Sequence, residues 1–96
     1  MELLSISEIN EKLLKLSDWN LEDNGKSIVK IMNFKDFNEV IDFVNEIKEI
    51  AEEEGHHPDL RIFDYNNLEI KLTTHSLKGL TKKDFDVAMK IDKLEK

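Results

Sequence analysis

Phe37-Asn38-Glu39-Val40-Ile41-Asp42-Phe43-Val44-Asn45-Glu46-Ile47-Lys48-Glu49-Ile50-Ala51-Glu52-Glu53-Glu54-Gly55-His56-His57-Pro58 decides the fold. Phe37, Val40, Ile41, Val44, Ile47 and Ala51 recur at helical spacing, widened by Phe43 and Ile50. The spacing predicts the longest helix over roughly residues 35–54. Gly55 is its natural stop, because glycine takes the left-handed conformation cheaply just past a helix end. Pro58 then favours an extended His57. Two adjacent histidines are thus delivered at the point where a long helix gives way to a strand.

Outward from this stretch, strands alternate with turns. Downstream, Leu60 to Tyr65 reads as a strand, Asn66-Asn67 as its turn, and Leu68 to Thr74 as a second strand. In the latter, Leu68, Ile70 and Leu72 share one face and Glu69, Lys71 and Thr73 the other. By parity His75 falls on the side away from the core, so it serves a site only if that side lines a cleft or the strand has ended. Lys78-Gly79 marks a loop, and Thr81-Lys82-Lys83-Asp84 resembles a capping box before a last helix with Phe85, Ala88 and Met89 on its apolar side. Upstream, Ser5-Ile6-Ser7-Glu8 is a capping box, and Ile6, Ile9, Leu13 and Leu16 predict a first helix over roughly 6–16. Trp19 to Glu22 and Ser27 to Phe34 are strands joined by an Asn24-Gly25 turn. The second is apolar on both faces, which suits a buried strand or one meeting another subunit. The order is α-β-β-α-β-β-α, an α+β domain: a four-stranded antiparallel sheet with three helices packed on one face.

The 96 residues are expected to form one domain, 1–96. Composition, 40% hydrophobic and 36% charged, is that of a globular protein. The formal net charge of −7 disfavours nucleic acid as a partner. Lys78, Lys82 and Lys83 are the one candidate basic patch, read as a solvated helix start. No signal peptide and no membrane association are expected, and the lack of cysteine fits a cytoplasmic location.

All three histidines, His56, His57 and His75, lie within one short region. Imidazole gives and takes protons near neutral pH, so their clustering suggests a proton-transfer site. The same residues have structural roles as well. His56 and His57 suit the negative end of a helix dipole. Asp84 suits a helix cap, and Tyr65 suits strand packing. A metal is not expected: adjacent His56 and His57 in an extended segment point to opposite faces, which hinders joint ligation.

Glu52-x-x-x-His56-His57-Pro58, Tyr65, Thr74-His75, Gly79-Leu80-Thr81 and Asp84, together with Trp19 and Asn33-Phe34-Lys35-Asp36-Phe37, resemble the pterin-4a-carbinolamine dehydratase family, also called the dimerisation cofactor of a homeodomain transcription factor. The likeness covers nearly the whole chain. It implies dehydration of a 4a-hydroxytetrahydropterin, such as 4a-hydroxytetrahydrobiopterin, to the quinonoid dihydropterin, with no cofactor and no metal. It implies a catalytic set of His56, His57, His75 and Asp84, with His57, Pro58, Tyr65 and Thr74 at the substrate. His56 and His75 would exchange protons, His57 would mainly hold the pterin, and Asp84 would orient a histidine. The three imidazoles are expected to meet around a single cavity, and alanine at His56 or His75 is expected to lower turnover with little loss of melting temperature. Leu60 stands where the family often has an aromatic, and Asp18 where it has glycine. A homodimer or homotetramer is expected. The alternatives are a non-catalytic interaction module and a dehydratase serving another, molybdopterin-type pterin pathway.

Overall fold

Antiparallel pairing organises the molecule, as a computed structural model describing residues 1–94 shows. The expected domain runs to 96, and its last two residues lie outside the described residues. Helix α1 (Ile6–Leu13) leads into strands β1 (Asn20–Leu21) and β2 (Ile28–Asn33), then α2 (Phe37–Glu54), β3 (Asp59–Phe63), β4 (Asn67–Leu72), a short 3-10 turn (His75–Leu77) and α3 (Lys82–Leu94). The sheet order is β1-β2-β4-β3, antiparallel throughout. Ile28, Leu68, Ile70 and Leu72 are fully buried and join residues of all three helices, among them Ile9, Val40, Ile47, Phe85 and Ile91, in one core cluster. Each such side chain stabilises the fold by about 1.5–3 kcal/mol through removal from water. The helices therefore cover one sheet face, as the alternating pattern of β4 requires.

Local signals act as expected at most helix ends. Ser5 caps α1, accepting from the Glu8 N–H at 3.1 Å while Glu8 accepts from the Ser5 N–H at 2.8 Å. Asp36 caps α2, and Gly55 closes it at φ 63°. Helix α1 is shorter than its apolar spacing predicts. It ends at Leu13 and tightens into i→i−3 bonds from Lys15 to Lys12 and from Leu16 to Leu13.

The turn between β3 and β4 differs from expectation. Asn66-Asn67 is not its centre; Asp64 and Tyr65 take the positive φ values, 48° and 56°. The reason is register: Ile62 pairs with Leu68 and Phe63 with Asn67, which leaves residues 64–66 as the loop. The Asn66 side chain instead donates to the Phe34 carbonyl at 3.0 Å. Tyr65 is accordingly an exposed loop residue, not a strand residue.

Asp18 adopts φ 63°, a conformation glycine takes without steric cost. This accounts for the glycine of the resembled family at that position. Asp18→Gly is expected to raise stability by about 0.5 kcal/mol, relief of left-handed strain offset by greater unfolded-chain entropy. A urea titration measures it, and a lowered midpoint contradicts it.

Candidate active site

The end of α2, the start of β3 and the segment after β4 meet at one end of the sheet. Asp59 pairs with Lys71 across β3 and β4, so residues just before β3 and just after β4 are neighbours. Helix α3 secures this end. Its Lys83 Nζ donates to the Glu54 carbonyl at 3.2 Å, and Lys90 Nζ to the Glu53 and Glu54 carboxylates at 2.7 and 2.6 Å. The last turn of α2 has no basic residue of its own, so lysines from α3 face its negative pole. The hydrogen bond from Lys90 holds the Glu54 carboxyl below its ordinary range, against desolvation that would raise it.

Asp84 is the centre of the arrangement. It is fully buried. Its Oδ2 accepts from the Thr81 N–H at 2.9 Å and from the Thr74 hydroxyl at 2.8 Å. Thr74 and Thr81 also bond each other at 2.9 Å. Oδ1 takes His56 Nε2 at 2.6 Å. Asp84 thus answers the Thr81 backbone at the start of α3, as half of a capping box does, and holds a histidine as well. Against an ionised Asp84, which only accepts, the His56 proton sits on Nε2, and Nδ1 is then the acceptor of a neutral ring. The two other histidines have carboxylates of their own. His57 Nε2 donates to Glu52 at 2.6 Å with both side chains mostly exposed. His75 Nε2 lies 3.7 Å from Asp59, an ion-pair distance beyond hydrogen-bonding range.

His75 stands where parity placed it, away from the core. The strand has ended three residues earlier, and the 3-10 turn holds the ring at the surface with its side chain 69% exposed. His57 and His75 line different cavities of the single chain, where one shared cavity was expected. His57, with Pro58, Leu60 and the α2 residues Val44, Ile47 and Ala51, lines an apolar cavity of about 260 Å³. His75 lines another of about 270 Å³ with Asp59, Lys71 and Thr73. Strand alternation explains the split, since Asp59 turns to the opposite side from Pro58 and Leu60. His56 is largely buried against Asp84. Tyr65, expected at the substrate, is at the far end of the β3–β4 hairpin, roughly 20 Å away at about 3.3 Å per strand residue. The Thr74 hydroxyl, expected to meet substrate, is buried and serves Asp84.

Sequence reading left Asp59 out of the site and did not give Glu52 a role. The β3–β4 register is the signal that identifies Asp59, since pairing with Lys71 brings it beside the segment that carries His75. Among the described residues, no group of three or more His, Cys, Asp or Glu side chains is placed to hold a metal ion. No helix among them is long and apolar enough to cross a membrane.

The sequence model of a family described as "Pterin 4 alpha carbinolamine dehydratase" matches residues 2–94. A Nostoc sp. protein named "Putative pterin-4-alpha-carbinolamine dehydratase" is 50% identical over 93 residues, covering 97% of each chain. A crystal structure of a transcriptional coactivator/pterin dehydratase from Brucella melitensis superposes with a TM-score of 0.91 at 33% identity, over 97% of this chain and 98% of that one. A pterin dehydratase-like protein identified as a RuBisCO assembly factor in the alpha-carboxysome shares the fold, with a TM-score of 0.66 at 20% identity over 81% of this chain and 89% of that one. With that sequence model matching nearly the whole chain and relatives 48% and 50% identical over 95 and 93 residues, this chain belongs to the pterin 4 alpha carbinolamine dehydratase family.

Proposed function

We propose that the chain is a hydro-lyase that dehydrates a 4a-hydroxytetrahydropterin, of which the tetrahydrobiopterin carbinolamine is one, to the quinonoid dihydropterin and water. The observation that carries this reading is the buried Asp84–His56 pair beside an exposed His75, within a chain of the dehydratase family. In the substrate, a ring nitrogen adjoins the hydroxyl-bearing carbon, and its lone pair expels the hydroxyl as water once that oxygen is protonated. The N–H proton leaves to a base as the C=N bond forms. The step needs one acid and one base and is neutral in electrons.

His75 suits one role, because its Nε2 has only a distant carboxylate and the ring is open to substrate. His56 suits the other through Nδ1, with Asp84 fixing its tautomer. His57 and Pro58 offer an edge and a wall for the bicyclic ring, and Leu60, in place of an aromatic, makes that wall shallower. We extend the reading to a homodimer or homotetramer. Ile31 on the uncovered sheet face is 57% exposed, and Phe37 on α2 is 50% exposed, surface that a homodimer or homotetramer would cover. We place the enzyme in the cytoplasm, consistent with a chain free of cysteine.

An absorbance assay of carbinolamine dehydration tests the function. Wild type should accelerate loss of the carbinolamine, and His75→Ala should lower kcat about 10²-fold with an unchanged melting temperature. No acceleration by wild type would remove the enzymatic reading and leave the interaction module. An unchanged kcat in the variant would remove His75 from proton transfer. His56→Ala differs from the sequence-based expectation: its ring partners a buried carboxylate, so some stability should be lost with activity.

A further inference from the structure

The cavity beside His75 is cationic in a chain of net charge −7. Lys26, Lys71 and Lys78 line it, with Asp59 as the one acidic residue on its wall. Lys71 is already committed: it pairs with Glu22 at 3.0 Å. The Ser27 hydroxyl, and then Lys71, pull the Glu22 carboxyl below its ordinary range, so this acid stays charged and keeps its lysine. Lys26 and Lys78 differ. Neither ammonium has an ion-pair partner among the described residues, whereas nearby Lys82, Lys83 and Lys90 are all paired.

Both unpaired lysines are anchored at the backbone relative to His75. The Lys26 carbonyl accepts from the Thr73 hydroxyl at 2.6 Å, which ties the β1–β2 hairpin to the segment leading to His75. Lys78 is held at φ 55°, and its N–H donates to the His75 carbonyl at 3.3 Å. Two unpaired ammonium groups and an imidazole lining about 270 Å³ fit a phosphoryl dianion much better than a neutral hydroxyl. A pterin whose reacting carbon lies at His75 would extend its side chain into this space.

We infer that the substrate is a pterin carbinolamine whose side chain carries a phosphate ester, bound by Lys26 and Lys78. This rests on the dehydratase reading and narrows its substrate class. Two carbinolamines with the same side chain, one with a free hydroxyl and one as its phosphate monoester, test it on wild type and on Lys26→Gln/Lys78→Gln. At low salt, wild type should show about tenfold lower KM for the ester, from two exposed charge pairs. The double variant should lose that advantage while keeping kcat for both substrates and KM for the hydroxyl form. Turnover of both by wild type at equal KM overturns the inference and leaves the dehydratase reading standing. If neither is turned over, that reading fails, and binding of the corresponding oxidised pterins, followed by their fluorescence, decides the inference. Tighter binding of the ester that vanishes in the double variant supports it, and equal affinity overturns it.

Discussion

Asp84→Ala is expected to destabilise the protein by about 3–5 kcal/mol and to reduce kcat about 10³-fold in whatever fraction remains folded. The carboxylate is fully buried and serves the Thr81 N–H, the Thr74 hydroxyl and His56 Nε2 at once. Its removal leaves these donors facing a cavity, and a buried unsatisfied group costs about 1–3 kcal/mol. A domain of this size has about 5–15 kcal/mol in total. Asp84→Asn separates the two effects. The amide oxygen can keep the Thr81 N–H, but its NH₂ then faces His56 and drives that ring's proton from Nε2 to Nδ1. Stability should fall less than in the alanine variant, while kcat stays depressed about 10²-fold or more. Denaturant titration and single-turnover kinetics read the two separately. A fully active, fully stable Asn variant would show that Asp84 is only a filler of space.

Asp92→Ala is the largest expected effect away from the site, about 3–5 kcal/mol. Asp92 Oδ1 accepts from Lys30 Nζ at 3.0 Å and from Trp19 Nε1 at 2.9 Å, and Oδ2 accepts from the Ser17 N–H at 2.9 Å. One carboxylate on α3 thereby joins the loop after α1, the indole that follows it and the core face of β2. The Lys30 side chain is 3% exposed, and its ammonium lies 5.9 Å from the Trp19 ring centroid. Taking away the carboxylate while the ammonium stays in the core is the costly direction for a buried pair. Replacing both at once, as Lys30→Met with Asp92→Leu, should recover most of the loss, because desolvation of both charges disappears with them. Melting temperatures of the two single variants and the double one measure the coupling. An Asp92→Ala protein melting within a few degrees of wild type would show that the pair contributes little.

Lys30 and Tyr65 illustrate what periodicity can and cannot convey. The β2 pattern set Lys30 on the same side as Ile28 and Met32, which is where it lies, yet nothing local announces that a carboxylate 62 residues away accepts from it. The stretch from Leu60 reads as a strand through Tyr65. The pairing of Leu68 with Ile62 and of Asn67 with Phe63 makes Tyr65 a loop residue, and the length of β3 keeps it far from the histidines. Likewise His56 and His57 were legible as a pair beyond a helix stop, and the resemblance gave Asp84 a histidine to orient; that this is His56, and that Glu52 faces His57, was not legible.

By itself the chain determined its elements, their order, the covered face of the sheet and the clustering of His56, His57 and His75, because caps, turn residues and apolar spacing act over a few residues. The tertiary structure decided which acid faces each imidazole, that Asp59 stands by His75 while Tyr65 does not, and that the rings open onto two cavities. Those outcomes follow from strand register and from the docking of α3 on α2, which sum packing over the whole core and so leave no mark at any one position.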